Sequence, residues 1–434
     1  MISRSWATSQ KTIVLIDANN FYASCEAVMD PAVLGRPLVV LSNNDGCIVS
    51  RSAEARALGI RMGQPYFQVR RELERQGVVV RSSNYALYAD MSQRLVATVE
   101  PWVEALEIYS IDEVFGQLTR TAGRGDLQDW GHRLRHHVLC QLGLPVAVGI
   151  GPSKVLAKLA NRLAKTTASH AGVFDFGGVT DPDSYLESIA IEEVWGIGRQ
   201  LSRWCRLRGI VHARALRDMP SGELARRCGV VGRRLQQELQ GHACLPLEFV
   251  PAAKRETCVS RSFSEPITKK ASLREAMATY LSRAAEKLRR QHQRAGVITV
   301  FVRSSPFNGT SLYSNSATVT LPVASNDTAV LLQAALPLVE RLFKPHKPLQ
   351  KAGVLLQNLQ SEGILQHHLL MPLPLEKQRR RSALMASIDS LNRRYGSGTV
   401  QWAAAGLQTP WRLRRSQLSR ATTTQVEEIP IVHA

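Results

Sequence analysis

Three carboxylates in this chain stand where they could do chemistry. Asp17 closes the apolar run of residues 13–16, and Asp112 and Glu113 sit side by side within the mainly apolar stretch 107–115. A continuous apolar run of this kind reads as a strand covered on both faces. A carboxylate buried at its end is costly without a partner, so a cation or hydrogen bonds must meet it. The second stretch also reads as a strand. Neighbouring side chains of a strand face opposite sides, so Asp112 and Glu113 can serve one site only from the strand's end or from a bulge. Three carboxylates from two strands make the hard-oxygen donor set that Mg²⁺ takes. Two such ions can activate a hydroxyl and stabilise a leaving oxygen during in-line phosphoryl displacement. Taken singly, each stretch also has a plainer reading: Asp17 as a helix cap, Asp112–Glu113 on an exposed edge.

The elements that must position these groups follow from pattern. Phe21 and Tyr22 come shortly after Asp17. Residues 37–41 read as a buried strand, 42–46 as a turn ending in Asp-Gly, and 47–50 as the returning strand of a hairpin. A short helix over 52–58 carries Arg56 and stops at Gly59. Helices over 65–76 and 90–103 flank a short strand at 78–81. Residues 23–89 thus look like an insertion between the two carboxylate strands. Further on, 128–143 is helical, 146–150 a strand and 155–165 a helix. The turn Gly151-Pro152-Ser153-Lys154 opens that last helix with free N–H groups, an anion site in waiting. Lys154, Lys158 and Lys165 then aim at phosphate, or else form a solvated basic face.

Residues 180–245 change character. Gly196-Ile197-Gly198 before Arg199 and an amphipathic helix resembles a helix-hairpin-helix, whose glycines let backbone N–H groups approach a DNA phosphate without reading sequence. Arg203, Arg206 and Arg208 add charge, and a plain helical bundle is the alternative. Residues 241–254, with Pro246 and Pro251, read as a linker. Beyond it the order strand 257–263, helix 272–294, strands 297–303 and 317–323, helix 328–343, strand 353–360 describes a compact α+β domain with one sheet face open. In 361–434 a basic run at 377–381, a helix over 383–395 and a strand over 399–403 are expected. Fold class is therefore multidomain, part α/β and part α+β.

Composition narrows the partners. The 434 residues suit roughly three domains. No run approaches a membrane span and no secretory leader is legible. Seven dispersed cysteines without a CxxC pair point to a reduced, cytoplasmic chain with no zinc site. The net charge of +19, much of it arginine, calls for a polyanion.

At this point the residues resemble a known family. DANNFYASCE (17–26), LSNNDGCIVSRSAEARALGI (41–60), SSNYALYADMS (82–92), YSIDEVF (109–115), VGIGPSKVLAK (148–158), VWGIGR (194–199) and SRSF (260–263) are similar, in order, to motifs of the Y-family DNA polymerases. The closest resemblance is to the UmuC-type catalytic subunits of bacterial DNA polymerase V, from about residue 12 onward. The resemblance implies a right-hand polymerase: palm at 12–22 and 90–175, small fingers at 23–89, a helix-hairpin-helix thumb at 180–245 and a βαββαβ little finger at 255–360. It implies error-prone translesion synthesis in the SOS response, with primer–template DNA and dNTPs as substrates. Asp17, Asp112 and Glu113, with the carbonyl of Ala18, would hold two Mg²⁺ ions.

By the same resemblance Tyr22 would exclude a 2′-hydroxyl, Phe21 would pack on the nucleotide, and Arg56, Lys165 and Ser50 would meet the triphosphate. Gly196, Gly198, Arg199 and Arg203 would meet DNA. Many members keep a phosphate-binding tyrosine where this chain has Ala53; UmuC-type members share the alanine. A UmuD′-type accessory subunit, a recombinase filament and a sliding clamp are the implied partners, in a bacterial cytoplasm at the nucleoid. Gln366, Leu369 and Leu370 stand where the clamp-binding peptide would be, with His367 and Leu370 replacing its first leucine and its aromatic. A catalytically idle DNA-binding repair subunit would show decay of the carboxylate trio, and a two-metal nuclease would need other acidic clusters and no Tyr22.

Overall fold

In a computed structural model the described residues are 11–119, 126–305, 312–363, 375–407 and 415–429. They fall into two compact units: one within Met1–Ser42, Gly46–Pro251 and Gln417–Ala434, the other within Asn43–Asp45 and Ala252–Ser416.

In chain order the first unit contains β1 (Lys11–Ala18), α1 (Phe21–Met29), β2 (Leu38–Leu41), β3 (Ile48–Arg51), α2 (Ala53–Ala57), α3 (Tyr66–Arg75), β4 (Val79–Ser82) and α4 (Tyr85–Val99). It continues with β5 (Ala105–Ile108), β6 (Glu113–Thr119), α5 (Leu127–Leu142), β7 (Val146–Gly151), α6 (Lys154–Thr166) and β8 (Val173–Asp175). Four helices follow: α7 (Pro182–Ser188), α8 (Arg199–Arg206), α9 (Ala213–Asp218) and α10 (Ser221–Leu239).

The central sheet runs β5-β6-β1-β7-β8, with β1 antiparallel to both β6 and β7. Both faces of β1 are covered, which is why its apolar run does not alternate with polar residues. Val14, Ile16 and Ala18 join Phe21, Tyr88, Met91 and Trp130 in one core; Ile13 and Leu15 pack with Phe115 and Ala157 in another. Helix α6 lies so close to β7 that a Cβ on Gly149 would fall 2.1 Å from the backbone N of Asn161. The buried Asn161 amide donates to the carbonyls of Ala147 (2.8 Å) and Leu15 (3.3 Å), tying α6 to two strands.

Two sequence expectations change here. The stretch 107–115 is not one strand but a hairpin: β5 pairs with β6 from Ala105↔Gln117 to Ile108↔Val114, and Tyr109 N and Ser110 N both donate to Glu113 O. Ser110 makes the reversal, its hydroxyl accepting from the N–H groups of Glu113 (3.1 Å) and Asp112 (3.4 Å), a local bond that hydrophobic pattern does not reveal. Helix α4 begins at Tyr85 and not at 90, because Asn84 caps it, its Oδ1 accepting from Leu87 N. The smaller sheet, β3-β2-β4, packs on α2 and α3 through Val39, Leu41, Ile48, Ala55 and Leu73. Helices α7 to α10 share a core with α6 that includes Leu186, Leu216, Leu224 and Leu239.

The second unit contains β9 (Thr257–Ile267), α11 (Lys270–Arg290), β10 (Gln293–Arg303), β11 (Ser314–Ser325), α12 (Thr328–Leu342), β12 (Leu349–Ser361) and α13 (Leu375–Tyr395). Its sheet, β11-β10-β12-β9, is antiparallel throughout, and α11 and α12 cover one face. This is the βαββαβ order expected. Helix α13 starts at Leu375, not 383, and takes in the basic run; Arg381 pairs with Asp327, and Arg289 forks onto Asp389 at 2.6 and 2.7 Å. The strand expected at 399–403 is absent. Asn392 exchanges two hydrogen bonds with Val400 instead, and Ala403–Ala405 forms a single 3₁₀ turn. Gln366, Leu369 and Leu370 lie outside the described residues.

Candidate active site

The centre of the first unit is the end of β1. Asp17 is its penultimate residue and stands opposite Glu113, the first residue of β6. Asp112 is the last residue of the hairpin turn, and its carbonyl accepts from Ala18 N at 2.9 Å. The register thus gathers the three carboxylates and Ala18 at one end of the central strands. Asp112 also accepts at Oδ1 from the Ser110 hydroxyl, at 2.6 Å.

Helix α6 answers with a row of lysines. Lys165 meets Asp17 at 2.5 Å and Lys158 meets both oxygens of Glu113 at 3.0 Å. The Lys158 ammonium also lies over the rings of Tyr109 (4.3 Å) and Trp195 (5.4 Å). The Asp17 carboxyl is raised to about 6, chiefly by burial and also by the Glu113 and Asp112 charges, against the downward pull of Lys165. Those charges feel one another, which is the condition a hard divalent ion relieves. The donor set is oxygen only and fits such an ion. Lysines hold Asp17 and Glu113, and among the described residues no group of three or more His, Cys, Asp or Glu side chains is drawn together as a metal cage.

Lys154 does not aim at phosphate. It is buried, bonded to Glu107 at 2.5 Å and to the Pro246 carbonyl at 2.8 Å. The anion site at the start of α6 is likewise filled from within. Ser153 caps the helix, and the fully buried Glu238 of α10 accepts from Val155 N at 3.2 Å. The dipole end that could take a phosphate holds a carboxylate of the chain itself.

Phe21 and Tyr22 open α1, directly after the strand end. Phe21 is buried; Tyr22 is half-buried and lies face to face with Tyr88, ring centres 4.3 Å apart and planes 13° apart. Burial raises the Tyr22 phenol's pKa, and the charge of nearby Asp112 adds to the rise. Tyr85 stands edge-on to both rings. Neither Tyr85 nor Tyr88 drew notice by type or spacing, although both lie in a motif of the resemblance. Arg56 reaches the α1 end through Asn20, donating to its Oδ1 at 3.0 Å. Ser50 is otherwise engaged. Its hydroxyl accepts from Ala23 N and donates to Asn20 O, both at 3.2 Å, so it supports the first turn of α1.

In the helical part, Gly196 takes a φ of +96° that favours glycine, and Gly198 leads into α8. Arg199 and Arg203 are exposed on α8. Arg206 instead forks onto Glu192, and Arg208 stacks over Trp204 at 4.2 Å.

Comparison with known proteins shows the family and the fold. The family model described as the impB/mucB/samB family matches residues 16–162, that of its C-terminal domain matches 254–369, and a domain of unknown function (DUF4113) matches 382–432. Protein UmuC of Salmonella typhimurium is 42% identical over 418 residues, covering 96% of this chain and 98% of the relative. Protein ImpB of the same organism is 39% identical over 421 residues, covering 96% and 98%. Among solved structures, a Y-family DNA polymerase chimera superposes with a TM-score of 0.63 at 21% identity, covering 81% of this chain and 99% of that one. No helix among the described residues is long and apolar enough to cross a membrane.

Proposed function

Since this chain belongs to the impB/mucB/samB family of Y-family DNA polymerases, we propose that Asp17, Asp112 and Glu113 are the centre of its nucleotidyl transfer. The protein is a DNA-directed DNA polymerase of the UmuC type, an enzyme of error-prone translesion synthesis. The observation that carries the assignment is the register: Asp17 opposite Glu113, with Asp112 on the turn beside them.

These three carboxylates, with the Ala18 carbonyl, would hold two Mg²⁺ ions. When bound, the ions supply positive charge that favours the primer 3′-oxyanion and the departing pyrophosphate. The chain's own residues position and select. Lys165 turns from Asp17, and Arg56 from Asn20, to meet the triphosphate of the incoming nucleotide. Phe21 packs beneath it. Tyr22, held flat against Tyr88, occupies the space a 2′-hydroxyl would need and so selects deoxynucleotides. Ser50 serves indirectly, by holding the turn that carries Phe21 and Tyr22.

The map onto palm (12–22 and 90–175), fingers (23–89), thumb (180–245) and little finger (255–360) follows from the same reading. The glycine turn at Gly196 and Gly198, with Arg199 and Arg203, tracks the phosphates of primer–template DNA. A UmuD′-type subunit, a recombinase filament and, through Gln366, Leu369 and Leu370, a sliding clamp complete the set of partners in the cytoplasm, at the nucleoid, during the SOS response.

The test is Asp112→Asn. Primer extension should fall by about a hundredfold or more, while affinity for primer–template stays near wild type. Extension at the wild-type rate refutes the assignment.

A further inference from the structure

Residues 417–429 belong to the first unit and pack where α4 begins. Strand β4 is an edge of the small sheet, and this segment pairs with it at its last residue, Ser82. Ser82 N donates to Gln417 O at 2.8 Å, Gln417 N donates to the Ser82 hydroxyl at 3.0 Å, and Ser82 forms a parallel bridge with Leu418. Two residues on, Asn84 does two jobs at once. Its Oδ1 caps α4 at Leu87 N, and its Nδ2 donates to Ser419 Oγ (3.0 Å) and to the Arg420 carbonyl (3.4 Å). The amide that starts α4 is thus oriented by the C-terminal segment.

What α4 carries from that point is Tyr88, one turn further in and wholly buried. Its ring is the surface on which Tyr22 lies, and its hydroxyl donates to Glu26 Oε1 at 2.6 Å. Glu26 is a carboxylate with 1% exposure on α1, the helix of Tyr22 itself. Burial raises the Glu26 carboxyl above its ordinary range, and the Tyr88 and Ser419 hydroxyls act against that rise. The segment therefore holds the cap of α4, the helix that carries Tyr88 onto Tyr22 and onto the buried carboxylate of α1.

We infer that residues 417–420 act as a strap that positions Tyr88, and through it Tyr22, so that sugar discrimination depends on Ser419 and Asn84. This gives a role to part of the stretch matching the domain of unknown function. It rests on the reading of Tyr22 as the sugar-selecting residue. Neither Ser419 nor Asn84 need touch a nucleotide: they are positioning residues.

The experiment compares full-length wild type with Ser419→Ala, Ser419→Thr, Asn84→Asp, Tyr22→Ala and the double variant Tyr22→Ala/Ser419→Ala. Asn84→Asp keeps the acceptor that caps α4 and loses both donors to the strap. Single-nucleotide insertion gives kcat/KM for a dNTP and for the matching rNTP, and thermal melts report folding. Ser419→Ala and Asn84→Asp should each lower the deoxy-to-ribo preference by about threefold to tenfold, the size of coupling expected between contacting groups. Insertion of the dNTP should stay within about twofold of wild type on the same reasoning, and Ser419→Thr should restore the preference. In the Tyr22→Ala background Ser419→Ala should change nothing further, since the effect passes through Tyr22. If Tyr22→Ala itself leaves the preference unaltered, the sugar-selecting reading fails and this inference with it. If Tyr22→Ala relaxes selection while both strap variants keep the wild-type ratio, the strap proposal alone is overturned. Equal loss of dNTP and rNTP insertion in the strap variants, with the ratio unchanged, overturns it too.

Discussion

Lys154→Met isolates a contact that neither sequence reading of this lysine, phosphate ligand or solvated basic face, contained. Lys154 and Glu107 are almost fully enclosed, with side-chain exposures of 5% and 7%. The ammonium has two acceptors, Glu107 Oε2 at 2.5 Å and the Pro246 carbonyl at 2.8 Å; Oε2 also accepts from Glu248 N at 2.7 Å. Methionine fills much of the volume but leaves Glu107 as an enclosed anion. Breaking one side of a buried ion pair costs about 3–5 kcal/mol. The Glu248 N–H remains as a partner and moderates that figure, while the Pro246 carbonyl loses its donor at a cost of about 1 kcal/mol. The expected loss is therefore about 4 kcal/mol. Adding Glu107→Gln removes the stranded charge and keeps an acceptor for Glu248, so the double variant should recover about half of that loss. Equilibrium urea unfolding of the four proteins of this cycle measures both quantities. Limited proteolysis should also cut the segment around Pro246 and Glu248 faster in the single variant. A Lys154→Met protein within about 1 kcal/mol of wild type, or a double variant no more stable than the single, refutes the reasoning.

Three further outcomes are expected. Gly149→Ala should cost about 3 kcal/mol, read as a lowered melting temperature, because the new Cβ would meet the backbone of α6 and not a movable side chain. Glu238→Gln should destabilise the first unit by about 2 kcal/mol, since its carboxylate accepts from Cys244 N (2.6 Å), Leu245 N (2.9 Å) and Val155 N; urea melts check this. Affinity for primer–template should fall steeply and linearly on a log–log plot against salt, with little dependence on sequence; a flat plot would remove Arg199 and Arg203 from the DNA footprint.

Much of the site was legible before folding. The run at 13–16 announces a doubly covered strand, and a carboxylate at its end demands a partner, so Asp17 stands out from local chemistry alone. The βαββαβ order from β9 to β12 follows from its periods, because each element buries one face against a single layer. Ser110, by contrast, turned an expected strand into a hairpin through a hydroxyl-to-backbone bond that periodicity cannot register. Helix α13 reached further back than its pattern suggested, because ion pairs with Asp327 and Arg289 hold a polar helix to the sheet domain.

The lysines show the limit most clearly. A row of basic residues after a Gly-Pro-Ser turn reads locally as an anion site, and nothing nearby contradicts it. Its partners arrive from far along the chain: Glu107 lies 47 residues from Lys154, and Glu238 lies 83 from Val155. Residue types and spacing therefore determined which groups carry charge and which strand ends can gather them. Tertiary structure alone decided which charge meets which, because a buried charge is tolerated only where a partner offsets its desolvation, and that partner is one the local sequence does not contain.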